Sequence, residues 1–171
     1  MIPVLETERL RLRAPEMRDF EPVAAFFATE RSRFVGGPRD RFATWRAFAA
    51  TLGQWHLKGW GMWAVEIRES GRFAGMVGCH DPEGWLAPEI GWMIMDPEAE
   101  GRGYAFEAAR AARAQAYGPF GWREAFSVID RENHRSVALA RRLGCALDRE
   151  AEWEGEPVGI WRHPGPEEAA P

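Results

Sequence analysis

Glu89-Ile90-Gly91-Trp92-Met93-Ile94-Met95-Asp96-Pro97, followed by Glu100-Gly101-Arg102-Gly103-Tyr104-Ala105, decides how this chain is read. Glu89–Met95 is an apolar run of strand character, and Asp96-Pro97 stops it because proline donates no ladder hydrogen bond. Glycines then stand where the chain must bend sharply. Ala105, Ala108, Ala109, Ala112 and Ala116 form a narrow stripe of small side chains, which predicts a helix lying close on a sheet. Gly118-Pro119 ends that helix, and a strand is expected through Glu124–Asp130. Strand, bend, helix, strand is a βαβ unit, whose strands should run parallel with a right-handed crossover.

Towards the amino terminus, Leu10 and Leu12 alternate with Arg9, Arg11 and Arg13, the period of a half-buried strand. Asp19 precedes a first helix carrying Val23, Phe26 and Phe27. Thr44 is expected to cap a second, with Trp45, Phe48, Ala49, Leu52 and Trp55 at helical spacing, ended by Lys58-Gly59-Trp60-Gly61. Met62–Glu69 and Arg72–Cys79 read as a hairpin turning at Ser70-Gly71, with another turn at Asp81-Pro82-Glu83-Gly84. Towards the carboxyl terminus, a helix is predicted over about His134–Leu143, with Gly144 placed to end it. Arg149–Trp153 and Val158–His163 make a last hairpin around Glu154-Gly155-Glu156-Pro157. The order implies a mixed α/β fold, a single domain over residues 1–163 with about seven strands and about four helices. The proline- and glutamate-rich tail, 164–171, is expected to fray.

The 171 residues fit one domain, and 46% hydrophobic with 28% charged is ordinary globular composition. A net charge of −4 offers no basic face for nucleic acid. Cys79 and Cys145 cannot make a disulfide framework. His56, His80, His134 and His163 lack metal-ligand spacing, so no metal is expected. No signal peptide or membrane-length apolar run is visible, so a reduced, cytoplasmic setting without membrane contact is the expectation.

Two patches bear chemistry. The glycine bend exposes backbone N–H groups at a helix start, the makings of an anion site, or it is simply a tight loop. It is not a dinucleotide fingerprint, because Phe106 takes the third glycine's place, nor a Walker loop. Asn133-His134-Arg135-Ser136 opens the following helix, where asparagine, the only one in the chain, is a natural N-cap. Both patches sit beyond the carboxyl ends of neighbouring parallel strands, where ligands tend to bind, and should face a common cleft.

Glu89–Pro97, Gly101-Arg102-Gly103-Tyr104-Ala105-Phe106-Glu107-Ala108, Asn133…Ser136 and Leu143-Gly144 together resemble the GNAT superfamily of acetyl-CoA-dependent N-acetyltransferases. Glu6-Thr7-Glu8-Arg9-Leu10-Arg11-Leu12-Arg13 and Gly155-Glu156-Pro157-Val158…Trp161-Arg162-His163 resemble its branch of bacterial ribosomal-protein N-terminal (alanine) acetyltransferases, so the likeness spans nearly the whole chain. The resemblance implies a twisted, mostly antiparallel sheet with one splayed parallel pair. It implies that Glu98, Ala99, Glu100, Gly101, Arg102 and Gly103, with Tyr104 and Ala105 opening the helix, cradle the pyrophosphate of acetyl-CoA. Met93, Ile94 and Met95 would pair with the pantetheine arm like an added strand, and Asn133 would contact it near the thiol. The partners implied are acetyl-CoA and an amine acceptor, with a homodimer left open.

Glu98, Glu100, Phe106 and Ala140 depart from the family's pattern. Arginine or glutamine is common at the first of these positions, tryptophan and threonine at the next two, and a general-acid tyrosine at the last. The implied chemistry is direct attack of a neutral amine on the thioester, which needs a base, an oxyanion donor and help for the leaving thiolate. Glu89 is the expected base, with His80 in reserve. Ile94 N–H is the candidate oxyanion donor, and Ser136 is the expected acid in place of the missing tyrosine, with a plain first-turn residue as the competing reading. Trp60, Trp85 and Trp92 are expected to wall the acceptor cleft. A small-molecule acetyltransferase acting on an aminoglycoside, polyamine or amino acid, and a catalytically silent acyl-CoA-binding module, are the competing readings.

Overall fold

The computed structural model, which describes residues 1–165, starts with β1 (Leu5–Glu6), β2 (Leu10–Arg13) and α1 (Met17–Phe27). A 3₁₀ segment (Glu30–Val35), α2 (Arg41–Lys58), β3 (Met62–Ile67), β4 (Phe73–His80) and β5 (Glu89–Ile94) follow. A short 3₁₀ turn (Pro97–Ala99) leads into α3 (Tyr104–Tyr117), then β6 (Phe126–Asp130), α4 (His134–Arg142), β7 (Ala146–Trp153) and β8 (Glu156–Arg162). The strands form one sheet in the order β1-β2-β3-β4-β5-β6-β8-β7, antiparallel throughout except between β5 and β6.

Each face of the sheet carries its own core. On one, α3 lays Ala108, Ala109, Ala112 and Ala116, all fully buried, against Leu10, Leu12, Val77 and Ile90. Their small size lets the helix approach closely, and enlarging one of them would overpack the layer at about 1–3 kcal/mol. On the other, Phe20, Val23, Phe26 and Phe27 of α1 and Phe48 of α2 pack with Met62, Met76 and Met95.

Sequence expectation and structure differ at element ends. α1 starts before Asp19 rather than after it, with Glu16 as its N-cap; Asp19 sits in the first turn, accepts from the Glu16 amide at 2.8 Å, and forms a buried ion pair with Arg13. Asp40, not Thr44, caps α2 by accepting from the Ala43 amide at 2.8 Å; Thr44 is buried in the first turn. The eighth strand is the two-residue β1, paired with β2, too short for periodicity to reveal. β7 begins at Ala146 rather than Arg149, with a register shift between Leu147 and Arg149 that breaks the alternation. Of the tail, Pro164 is held by a hydrogen bond from the Tyr117 hydroxyl at 3.0 Å, and residues 166–171 lie outside the described residues.

The parallel pair is a fork. β5 and β6 share one registered pair, Glu89 with Phe126, and separate beyond it. β5 stays paired with β4 along its whole length, from His80↔Glu89 to Gly75↔Ile94. A gap therefore opens on one edge of β5 only.

Candidate active site

At the outer end of the gap lies the glycine bend. Gly101 (φ 72°) and Gly103 (φ 80°) both take the left-handed conformation, which side-chain-bearing residues adopt at a cost of about 1–2 kcal/mol. The amides of Ala99 and Glu100 are spent within the 3₁₀ turn, and that of Glu98 donates to Asp96 Oδ1 at 3.0 Å. From Gly101 to Phe106 the amides find no acceptor among the described residues, and the helix resumes with Glu107 N–H to the Gly103 carbonyl at 3.1 Å. Consecutive free amides at a helix start, aided by its dipole, are an anion-binding concavity. Of the run Glu98 to Ala105 expected to cradle phosphate, the amides of Glu98, Ala99 and Glu100 are thus already bonded and those of Gly101 through Ala105 are not.

The bend is held from a distance. Glu107, in the first turn of α3, accepts from the Arg9 amide (2.8 Å), Arg9 Nε (2.7 Å) and the Thr7 hydroxyl (2.6 Å), while Arg9 also donates to the Arg102 carbonyl at 2.9 Å. Sequence reasoning missed this clamp; the Thr7-Glu8-Arg9 run was noticed only as a likeness. Glu98 and Glu100, whose charge opposes a pyrophosphate, are both neutralised. Glu98 pairs with Arg72, which also holds Asp96 at 2.7 Å. Glu100 bridges Arg31 and Arg135, the latter at 2.8 Å. Partial burial pushes the Glu100 carboxyl up, but the hydrogen bonds from both arginines outweigh it and hold the group below the usual range. Arg135 belongs to α4, so the Glu100–Arg135 pair ties the bend to the Asn133–Ser136 patch across the mouth of the gap.

Along the strand, the Met95 amide donates to the Ala74 carbonyl of the β4 side at 2.8 Å, whereas the Ile90 carbonyl accepts from Ser127 of β6. Ladder alternation then turns the N–H and C=O of Trp92 and Ile94 into the gap and those of Gly91 and Met93 towards β4. The Ile94 N–H and C=O are thus left open to the gap. Met93 and Met95 spend their backbone elsewhere: Met93 pairs with Met76 of β4, and the Met95 carbonyl accepts from Arg31 at 2.8 Å. Across the gap, Asn133 caps α4, its Oδ1 accepting from the Ser136 amide at 3.2 Å, which leaves its amide nitrogen free to donate. Ser136 Oγ accepts from Trp92 Nε1 at 3.2 Å, which ties the first turn of α4 to β5. Ala140 is fully buried and supplies no acid.

Glu89 closes the root of the fork. It is 8% exposed, with Oε2 accepting from Trp85 Nε1 at 2.8 Å and Oε1 from the Val128 amide at 3.2 Å. Burial pushes its carboxyl up to about 7, against the two hydrogen bonds that favour the anion. Trp85 stands edge-on to His80 (4.8 Å) and Trp153 (4.6 Å), joining the β4–β5 loop to the end of β7. His80 is paired with Glu89 in the sheet, and burial lowers its pKa, countered in part by Asp81. Trp85 and Trp92 thus border the site; Trp60 packs instead with Phe120 and Trp122. Among the described residues no cluster of three His, Cys, Asp or Glu side chains is arranged to hold a metal ion, and no described helix is long and apolar enough to cross a membrane.

A model of the acetyltransferase (GNAT) domain matches residues 9–146. An acetyltransferase from Agrobacterium tumefaciens strain C58 is 37% identical, with a TM-score of 0.86 over 96% of this chain and 95% of that one. YkkB of Bacillus subtilis (strain 168), an uncharacterized protein, is 27% identical over 165 residues, 92% of this chain and 93% of its own. RimL, a ribosomal L7/L12 alpha-N-protein acetyltransferase solved with coenzyme A, shares the fold at 18% identity (TM-score 0.74, 95% of this chain and 96% of that one). By the match over residues 9–146 and by this fold, the chain belongs to the GNAT acetyltransferase family.

Proposed function

We propose that the protein is an N-acetyltransferase that moves the acetyl group of acetyl-CoA to a primary amine, of a protein N terminus or of a small molecule, by direct attack in the cytoplasm. The observation that carries this reading is Glu89: a buried carboxyl with a pKa near 7, at the only rung joining the two forked strands. A base so poised takes the ammonium proton of an incoming amine near neutral pH. The freed lone pair attacks the thioester carbon, and the Ile94 N–H, turned into the gap, stabilises the oxyanion that develops. Collapse of the tetrahedral intermediate breaks the carbon–sulfur bond, and the second proton that the nitrogen must lose passes to the departing sulfur, which leaves as the thiol. Ser136 accepts a hydrogen bond from Trp92, so its own hydrogen is available to the departing thiolate, and the first bond polarises the second. The diphosphate would rest on the amides of Gly101 through Ala105, with Asn133 Nδ2 donating to the arm.

Direct attack is favoured over an acyl-cysteine route by the state of the thiols. Cys79 and Cys145 are buried, and burial pushes both pKa values far up, Cys145 to about 12. Neither offers a thiolate nucleophile at neutral pH.

The test is thiol release from acetyl-CoA with a panel of amines: peptides with free N termini, aminoglycosides, polyamines and amino acids. Turnover above the amine-free rate is expected for at least one class. Tight coenzyme binding with no turnover for any class would leave a silent acyl-CoA-binding module and overturn the enzymatic reading.

A further inference from the structure

The fork opens by trading one rung of the ladder for two side chains. The Phe126 amide donates to the Pro88 carbonyl at 2.8 Å, so a regular parallel ladder would next run from the Val128 amide to the Ile90 carbonyl. Instead each half of that rung is satisfied separately. The Ile90 carbonyl accepts from Ser127 Oγ at 2.7 Å, and the Val128 amide donates to Glu89 Oε1 at 3.2 Å. Ser127 is buried, and its Oγ lies 2.9 Å from His163 Nε2. His163 Nδ1 in turn lies 3.3 Å from an Arg113 nitrogen that also donates to the Leu143 carbonyl at 2.7 Å.

One assignment of hydrogens satisfies the whole chain. Arginine only donates, so Nδ1 accepts. The serine hydrogen goes to Ile90, so Nε2 carries the ring hydrogen and gives it to Oγ. Burial, reinforced by Arg113, depresses the His163 pKa to about 3, which keeps the ring in that neutral form. The chain runs from α3 through the residue after β8 and across β6 to β5, joining four elements at the point where the gap begins.

We propose that Arg113, His163 and Ser127 form a positioning relay that keeps the Val128–Ile90 rung from closing and so sets the width of the coenzyme slot; the inference rests on the acetyl-CoA reading above. Without the Ser127 hydroxyl, the Ile90 carbonyl is a buried acceptor whose nearest ladder donor is the Val128 amide. Forming that bond zips β6 one rung further onto β5, at the expense of the gap that Trp92 and Ile94 face.

Coenzyme A affinity by titration calorimetry, with a melting curve for each protein, tests this on wild type, Ser127→Ala, His163→Leu and His163→Gln. Ser127→Ala and His163→Leu are expected to weaken coenzyme A at least tenfold. His163→Gln, whose side-chain amide keeps an N–H near the Nε2 position, should stay within threefold of wild type. Folded Ser127→Ala and His163→Leu proteins with affinities within twofold of wild type would overturn the relay while leaving the acetyl-CoA reading intact. So would a folded His163→Gln as weak as His163→Leu. Should His163→Leu fail to fold, Ser127→Ala, which removes one oxygen, decides by the same threshold. A wild-type protein that binds no coenzyme A overturns the reading and the relay together. In a crystal structure of Ser127→Ala, a closed Val128–Ile90 rung supports the proposal and an unchanged gap refutes it.

Discussion

At the bend, from Gly101 to Ala105, the site is made of main-chain amides, partly exposed and ringed by the paired charges of Arg31, Arg72, Arg135, Glu98 and Glu100. At the root, Glu89, Trp85 and Ser127 are buried or half-buried side chains, satisfied one by one in a low-dielectric setting. The bend is suited to holding a multiply charged group that arrives with its own solvent. The root is suited to moving one proton, because burial alone has brought Glu89 near neutrality. Affinity and chemistry are therefore separable in this molecule, and variants at the two ends should fail differently.

The largest effect belongs at the root. Glu89→Gln keeps the side chain's shape and one acceptor oxygen, for Trp85 or for Val128 but not both, and removes the base, so kcat should fall by about 10²–10⁴-fold with coenzyme A affinity within threefold of wild type. In the wild type, kcat/KM should rise with pH through about 7, since the ionised carboxyl is the active form, and Glu89→Gln should lack that limb. Loss of coenzyme binding in this variant would merge the two ends that the comparison separates.

At the bend the order reverses. Gly103→Glu forces a side chain into a left-handed conformation and adds a carboxylate to an anion site, so coenzyme A affinity, measured by calorimetry, should drop about 100-fold, or about 2.7 kcal/mol. Unchanged affinity would remove the bend from the binding site. Glu100→Gln tests the same end with the opposite sign. It removes a charge repelling the diphosphate and releases Arg31 and Arg135, so affinity should improve about fivefold at low salt, and the gain should shrink as salt rises.

The smallest effects lie between the two ends. Asn133→Ala costs a helix cap, about 1 kcal/mol of stability in thermal unfolding; a fall in turnover greater than the stability change predicts would assign its Nδ2 to the coenzyme. Ser136→Ala should lower kcat about fivefold, the worth of one hydrogen bond of about 1 kcal/mol, and a loss under threefold would take Ser136 out of the mechanism.

Legibility followed the same division. The bend was readable because its cause is local: two glycines between a proline-stopped strand and an alanine-striped helix permit few backbone paths. The cap of α2 was misplaced by four residues because Asp40 and Thr44 are both capping types, and only the chain's entry direction chooses between them. Glu89 was picked from its place on the strand, but its partners were not. Ser127 and His163 carried no local sign of their contact, since a serine in one strand and a histidine just after another are ordinary.

From residue order alone came the βαβ unit, the phosphate-type bend, the mixed sheet and the likeness to one acetyltransferase superfamily, all of which depend on periodicity and turn chemistry over a few consecutive residues. Tertiary structure alone decided which amides remain free, that Glu98 and Glu100 are disarmed by arginines, and that β5 and β6 part after one rung. Those outcomes depend on burial and on hydrogen bonds between residues from 26 to 98 positions apart, such as Arg72 with Glu98 and Arg9 with Glu107. Spacing along a chain does not encode such contacts; they exist only once every strand has found its neighbour.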